Sequence, residues 1–526
     1  MEKHFLTVSD LTIQVPRRQD GRSVLETVVN GISFCVHEGE VVGLVGESGS
    51  GKSITALAVM NLNSEETILS SGSIVLNGMD LLKVKKDELR SIRGSEMAMI
   101  FQEPMTSLNP VLTVGRQLEE MLLLHKNISR RECYEEVIKR MGEVGLKHPE
   151  TIYRQYPHNL SGGMRQRVMI AMAMLLKPRL LIADEPTTAL DITIQAQIIS
   201  LLKHLNETYH TAILFISHDL GVVKSLCSRV LVMCDGDIVE EGLTDKVLYA
   251  PEHAYTKRLL AAVPTLKTRL RDDSERGSGT EPSYICRAEN VAVSFEKPRR
   301  GLFQKKERKK VLKGISMAVK CGEILGIVGE SGCGKTTLAR TIAGLLKPEE
   351  GTISLEEKPG LVFQDPYASL NPAKKVGWIL EEPLRVAGTY SREERKRRVR
   401  EMIGQIGMKE EYLDSYISEL SGGQRQRVAI GCALMEQTKF LILDEPVSAL
   451  DVTIQAQILE LLAELQEKQG LTYLFISHDL NVVYQLCDRV LVMHRGNVIE
   501  AGPVQEVYDN PREEYTKELI RAIPEI

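Results

Sequence analysis

GEVVGLVGESGSGKS, residues 39–53, and GEILGIVGESGCGKT, residues 322–336, decide the fold. In each, an apolar run enters a glycine-rich loop of the form G-x-x-x-x-G-K-[ST], and a helix-compatible segment follows. Glycines let successive backbone N–H groups turn inward around phosphate oxygens, at a helix start whose dipole favours anions. The first loop runs Gly46, Glu47, Ser48, Gly49, Ser50, Gly51, Lys52, Ser53. The second runs Gly329, Glu330, Ser331, Gly332, Cys333, Gly334, Lys335, Thr336. Lys52 and Lys335 can reach terminal phosphates, and the hydroxyls of Ser53 and Thr336 can hold Mg2+. One such match could be a chance glycine turn; two in the same strand–loop–helix context are not.

The duplication extends well beyond the loops. LIADEPTTALDITIQAQI (181–198) recurs as LILDEPVSALDVTIQAQI (441–458), and LFISHDLGVV (214–223) as LFISHDLNVV (474–483). The ends PEHAYTKRLLAAVP (251–264) and PREEYTKELIRAIP (511–524) also match, all at a separation of 260 residues. That spacing excludes a short-period solenoid and predicts two homologous domains, 1–264 and 284–526. The polar Gly/Ser-containing stretch 265–283 between them reads as a flexible linker. The phosphate loops lie 283 residues apart, so half 1 holds an insertion downstream of its loop, expected as a strand pair and turn at the surface.

Bulk properties narrow the class. The 526 residues are 43% hydrophobic and 26% charged, with net charge −5, which fits a globular protein and offers no global field for nucleic acid. The nine cysteines include no CxxC pair and no His/Cys cluster at zinc spacing, so free thiols are expected. MEKHFLTVSDL lacks a secretory leader's charged-then-apolar run, and no apolar stretch approaches the ~20 residues of a membrane helix. A cytosolic chain is predicted, with membrane association only through a partner.

Further chemistry follows each loop. Apolar runs end in the acid pairs Asp184–Glu185 and Asp444–Glu445, at the strand end where open α/β sheets bind ligands. The first acid of each pair suits a Mg2+ shell; the second could polarise an attacking water. His218 and His478 follow 34 residues after Asp184 and Asp444, each behind another apolar run, and read as γ-phosphate contacts. LSGGMRQR (160–167) and LSGGQRQR (420–427) start helices 23 residues before the acid pairs. Exposed N–H groups and the hydroxyls of Ser161 and Ser421 make a second anion site, which one half does not need for its own triphosphate.

The set of phosphate loop, glutamine (Gln102 in FQEP, Gln364 in FQDP), LSGG, acid pair and histidine, in this order and twice over, resembles the ATP-binding cassette (ABC) ATPases. The resemblance implies an α/β fold of two tandem P-loop NTPase domains, each with a mostly parallel core sheet, an antiparallel β subdomain and an α-helical subdomain. It implies ATP and Mg2+ as cofactors, with cassettes paired head to tail. One site would use Lys52, Ser53, Gln102, Asp184, Glu185 and His218, closed by Ser421, Gly422 and Gly423. The other would use Lys335, Thr336, Gln364, Asp444, Glu445 and His478, closed by Ser161, Gly162 and Gly163. Gln102 and Gln364 would join the Mg2+ shell, and Asp191 and Asp451 would link the sites. Phe295 is the aromatic expected to stack on adenine; half 1 holds Val15 there, with about 1 kcal/mol of aromatic contact at stake. Met164 stands where half 2 has Gln424, outside the phosphate-facing residues.

SLNP after each glutamine (107–110, 369–372) and the Tyr-Thr tails are similar to the ATPases of dipeptide, oligopeptide, nickel and glutathione importers. The resemblance implies two integral-membrane permease subunits as partners, an extracytoplasmic substrate-binding protein acting indirectly, and no nucleic acid. It places the chain peripherally on the cytoplasmic face of the cell membrane, with no iron–sulfur centre, since no cysteine cluster follows the tail. A tandem cassette acting on ribosomes is the alternative; the short linker here argues against it. A DNA-repair cassette would carry zinc modules or coiled-coil insertions. The basic run 296–310 is expected as a solvated hairpin extension, and SREERKRRVREM (391–402) as a solvated helix with i,i+4 pairs.

Overall fold

The computed structural model describes residues 4–19, 22–64, 67–103, 107–188, 190–266, 269–270, 283–296, 308–448 and 450–523. Most of the expected linker and the centre of the basic run (297–307) lie outside the described residues. The chain divides into two compact units, formed chiefly by Met1–Leu190 with Ile194–Val263 and by Pro264–Ile523.

The first unit opens with a long antiparallel pair, β1 (His4–Gln19) and β2 (Arg22–His37). Next come β3 (Val41–Val45), β4 (Ile68–Leu76), β5 (Met79–Asp80), β6 (Met97–Ile100), β7 (Leu180–Asp184), β8 (Ala212–Ile216), β9 (Arg229–Cys234) and β10 (Asp237–Leu243). They form an antiparallel sheet in the order β2-β1-β4-β5 and a six-stranded sheet in the order β10-β9-β3-β8-β7-β6. The larger sheet is parallel except for β10. Helices Val114–His125, Arg130–Glu143 and Pro149–Tyr153 make a separate helical layer.

Residues of β3, β7 and β8 are buried without exception. Their side chains alternate between two cores, as a strand sandwiched on both faces requires. Val41, Val45, Leu181, Ala183, Ile213 and Phe215 pack towards the helical layer. Val42, Leu44, Leu180, Ile182, Leu214 and Ile216 pack towards the antiparallel sheet and the helix Lys52–Val59.

The second unit repeats the plan. β11 (Tyr284–Glu296), β12 (Arg308–Lys320), β13 (Ile324–Val328), β14 (Glu350–Leu355), β15 (Gly360–Val362), β16 (Phe440–Asp444), β17 (Thr472–Ile476), β18 (Arg489–His494) and β19 (Asn497–Pro503) form two sheets. Their orders are β12-β11-β14 and β15-β16-β17-β13-β18-β19. The stretch 391–402 is helical as expected: Ser391 caps Arg392–Gln405, and Glu394–Arg398 and Arg397–Glu401 pair along it.

The insertion in half 1 corrects the sequence expectation. The expected strand pair and turn are present as β4 and β5, but β4 has a counterpart in β14, and the added segment continues into a helix, Lys86–Ser95, that is not confined to the surface. Leu81, Leu89 and Ile92 are buried in the same core as Ala56 and Val59 of the phosphate-loop helix. Arg93 donates to the carbonyls of Met60 (3.0 Å) and Asn61 (2.6 Å), satisfying acceptors at that helix's end.

The sandwiching of β8 and β17 has a measurable weight. Phe215→Ala and Phe475→Ala each empty a fully buried ring position and should cost about 3–5 kcal/mol, read from the shift in urea unfolding midpoint of the affected unit.

Candidate functional site

Three neighbouring strands end together at the site. β3 delivers the loop 46–53, β7 delivers Asp184 and Glu185, and β8, lying between them, delivers His218. The loop must be glycine at its first turn. Gly46 has φ +152°, and a Cβ there would stand 2.1 Å from the Met233 carbonyl oxygen; Gly329 repeats this at 2.2 Å from that of Met493. Ser48 and Gly49 are exposed, whereas Lys52 is buried, its Nζ donating to the carbonyls of Gly46 (2.9 Å) and Glu47 (2.7 Å) and to Ser50 Oγ. Lys335 does the same to Gly329 (2.6 Å) and Glu330 (3.1 Å), beside a buried Cys333.

Ser53 Oγ donates to Asp184 (3.1 Å), and Thr336 Oγ1 to Asp444 (3.1 Å), so each loop's last hydroxyl meets the first acid. The second acid has different neighbours. Glu185 accepts from the Gln102 amide (2.9 Å) and from Thr188 (2.8 Å), and lies 3.2 Å from His218 Nδ1. Glu445 accepts from Gln364 (2.8 Å) and lies 3.3 Å from His478 Nδ1. The two glutamines, expected in the Mg2+ shell, here bond the second acids, Glu185 and Glu445. Asp219 orients the histidine loop by capping Leu220–Leu226 through the N–H groups of Gly221 and Val222; Asp479 is its twin.

Burial and pairing separate the two acids electrostatically. Burial pushes Asp184 up to about 6, reinforced by the adjacent Glu185 and opposed by the Ser53 hydrogen bond. Burial also acts against Glu185, but the hydrogen bond and charge of His218 outweigh it and bring it down to about 2. His218 is correspondingly raised: burial disfavours its cation, and Glu185 more than compensates. In half 2 Asp444 is raised, Glu445 lowered and His478 raised, for the same reasons.

Ser161 and Ser421 cap the helices Gly162–Met174 and Gly422–Leu434, with Ser161 and Gly162, Ser421 and Gly422 exposed. Gly163 and Gly423 are buried where Cβ atoms would meet Ile194 (2.8 Å) and Ile454 (2.3 Å). The Met164 difference has a local effect. Gln424 accepts from the Ser421 N–H (2.9 Å) and closes a capping box, which methionine cannot do. Phe295 is 44% exposed near the end of β11, and Val15 sits half-buried in β1. Asp191 and Asp451 are both buried, and Asp451 caps its helix through Ile454 N–H (3.0 Å).

Two features escaped the sequence reading. Glu185 (φ +46°) and Glu445 (φ +49°) have left-handed backbones, held by N–H bonds to the carbonyls of Ile216 (2.9 Å) and Ile476 (3.0 Å). Such a conformation costs about 1–3 kcal/mol in a non-glycine residue and marks a site where direction matters. The second is the tyrosine of each tail. Tyr255 Oη accepts the Glu47 N–H (2.9 Å), and Tyr515 Oη that of Glu330 (3.0 Å), so the helices Ala254–Ala261 and Glu514–Arg521 pin the loops. Recurrence of both tyrosines at the common 260-residue spacing was the signal available.

The ABC transporter family profile matches residues 29–188 and 312–448, and the oligopeptide/dipeptide transporter C-terminal region matches 239–288 and 499–526. The peptidoglycan transport ATP-binding protein YejF of Agrobacterium fabrum is 42% identical over 98% of this chain and 96% of its own length. The glutathione import ATP-binding protein GsiA of Salmonella typhimurium is 41% identical over 99% of this chain and 90% of its own. Among solved structures, an archaeal ribosome recycling factor in complex with a ribosomal stalk protein shares the fold, at TM-score 0.60 and 22% identity over 94% of this chain and 90% of that one.

The tyrosine contact can be isolated, because Tyr255→Phe keeps the ring and removes the acceptor. A net loss of about 0.5–1.5 kcal/mol should weaken nucleotide binding at the Lys52 loop about two- to twelvefold, measured by titration with a fluorescent ATP analogue, and leave the Lys335 loop unchanged.

Proposed function

Because the chain belongs to the ABC transporter family, we propose that it is the ATP-hydrolysing subunit of an importer for peptides or a related small solute such as glutathione or a nickel chelate. The observation that carries this reading is the tail of each unit. It is matched by the oligopeptide/dipeptide transporter region, and it contacts the phosphate loop directly. The relatives at 41–42% identity are named as transport or import proteins, whereas the likeness to a ribosome factor rests on fold alone. Among the described residues no helix is long and apolar enough to cross a membrane. Membrane permeases as partners, with an extracytoplasmic binding protein presenting the solute, supply the transport path in this reading. The chain would sit peripherally at the cytoplasmic face.

The residues fit Mg·ATP. Ser53 with Asp184, and Thr336 with Asp444, are paired hard-oxygen donors beside a buried lysine, the set that Mg2+ prefers. When bound, the ion would offset phosphate charge. Lys52 and Lys335 would exchange their loop-carbonyl partners for phosphate oxygens. Glu185 and Glu445, kept ionised by His218 and His478, are placed to accept a proton from the attacking water, and the histidines to hold that carboxylate in position. Gln102 and Gln364 bond the same carboxylates, so displacement of either glutamine by a permease helix would change the base directly. We further propose, on the family resemblance, that Ser161–Gly163 closes the site of Lys335 and Ser421–Gly423 that of Lys52 when ATP draws the halves together.

Combining Glu185→Gln with Glu445→Gln should lower ATP turnover about 10²–10⁴-fold while retaining ATP binding; wild-type turnover in that variant would overturn the assignment. The crossed arrangement is tested in a Glu185→Gln background, where only the Lys335 site turns over. There Ser161→Ala should slow phosphate release about tenfold or more, from loss of a hydrogen bond to a charged group, and Ser421→Ala should have little effect.

A further inference from the structure

We propose that the first unit carries a surface site for a borderline divalent cation of the zinc class, built from His4, Cys35 and His37. One ligand atom from each of these side chains lies within 4.8 Å of the others. The placement follows from the ladder. His4 on β1 is the cross-strand partner of His37 on β2, and their rings are 4.8 Å apart, centre to centre. Cys35 is two residues before His37, hence on the same face. Burial along β2 confirms which face: Ile32, Phe34 and Val36 are core residues, while Cys35 and His37 are partly open and His4 is exposed. Both strands are fixed by the β1–β2 pairing, so the ligands need only side-chain rotation to converge.

The ligand chemistry is specific. Two imidazoles and a thiolate suit zinc and its neighbours rather than Mg2+ or Ca2+, which take oxygen. Zn–N of about 2.0–2.1 Å and Zn–S of about 2.3 Å imply tetrahedral ligand separations of about 3.3–3.6 Å, so side-chain rotation must close up to about 1.5 Å of the 4.8 Å spread. Three protein ligands on an exposed face leave the fourth position to water. Binding would deprotonate Cys35 and release that proton to solvent. Linear spacing hides this cluster, because His4 is contributed by a separate strand.

The second unit supplies an internal comparison. The equivalents of His4, Cys35 and His37 by strand register are Tyr284, Ala318 and Lys320, and Lys320 pairs with Tyr284 as His37 does with His4. The ATPase fold therefore forms without these ligands, so the triad is not required for folding. Nor does the cluster overlap the nucleotide site. It lies before β3, and the phosphate loop lies after it, about 17 Å of extended chain away. Arg229, which donates to the Cys35 carbonyl, is neutralised by Glu40 and Glu241, so no uncompensated cation repels a metal there. A cation on this site would tie β1 to β2.

The test uses Co2+ as a spectroscopic probe on the full chain. Wild type should bind one Co2+ with a thiolate-to-metal absorption band in the near ultraviolet, displaced by Zn2+, and should gain thermal stability. Cys35→Ala should abolish the band. His4→Tyr and His37→Lys, which install the second unit's residues, should each weaken binding by more than about tenfold, at least the cost of losing an outer-sphere partner. Unchanged Mg·ATP turnover in the triple variant would show that the fold is intact. No band in wild type, or an equal band in Cys35→Ala arising from another thiol such as the exposed Cys321, would overturn the proposal.

Discussion

The burial of β3, β7 and β8 on both faces is the constraint from which the rest follows. A strand covered on both sides can carry no polar side chain along its length, and its backbone groups are consumed by the parallel ladder. Polar chemistry is displaced to the strand ends. Because β8 lies between β3 and β7, the loop, the acid pair and the histidine arrive at one edge, and the contacts Ser53–Asp184 and Glu185–His218 are consequences of strand order. The same low-dielectric surroundings set the electrostatics. They raise Asp184, and they would raise Glu185 as well if His218 were not beside it.

What could be read from the sequence was what is local. The phosphate loops, acid pairs, histidines and LSGG helix starts are short strings whose residue types and spacing carry their physics. The Tyr255–Glu47 contact spans 208 residues and joins a tail to a loop that share no local pattern. The left-handed backbone at Glu185 is opposed by its residue type and is held by tertiary contacts such as the N–H bond to Ile216, which no local string encodes. The inserted helix Lys86–Ser95 was masked by a polar composition. Its signal was Leu89 and Ile92 at helical spacing, too few apolar positions to outweigh the charges around them.

Duplication makes the chain its own control. Positions where the halves agree include those that touch the phosphate loop or the acid pair, among them the tail tyrosines, whose contact recurs in both units. Within the site the halves differ at Ser50 against Cys333, Ser53 against Thr336 and Thr188 against Ser448. Elsewhere, Phe295 against Val15 exchanges an aromatic for an aliphatic side chain near the strand end, Gln424 against Met164 alters a cap, and Tyr284, Ala318 and Lys320 against His4, Cys35 and His37 alter a solvent face.

The tail tyrosines also explain how a late segment can matter to an early loop. Each hydroxyl takes the N–H of the residue that follows the loop's first glycine. A loop whose Glu47 amide was unpaired would pay for its desolvation or turn that amide towards the ligand, changing the cradle. The C-terminal helix of each unit therefore sets the entry geometry of its own phosphate loop.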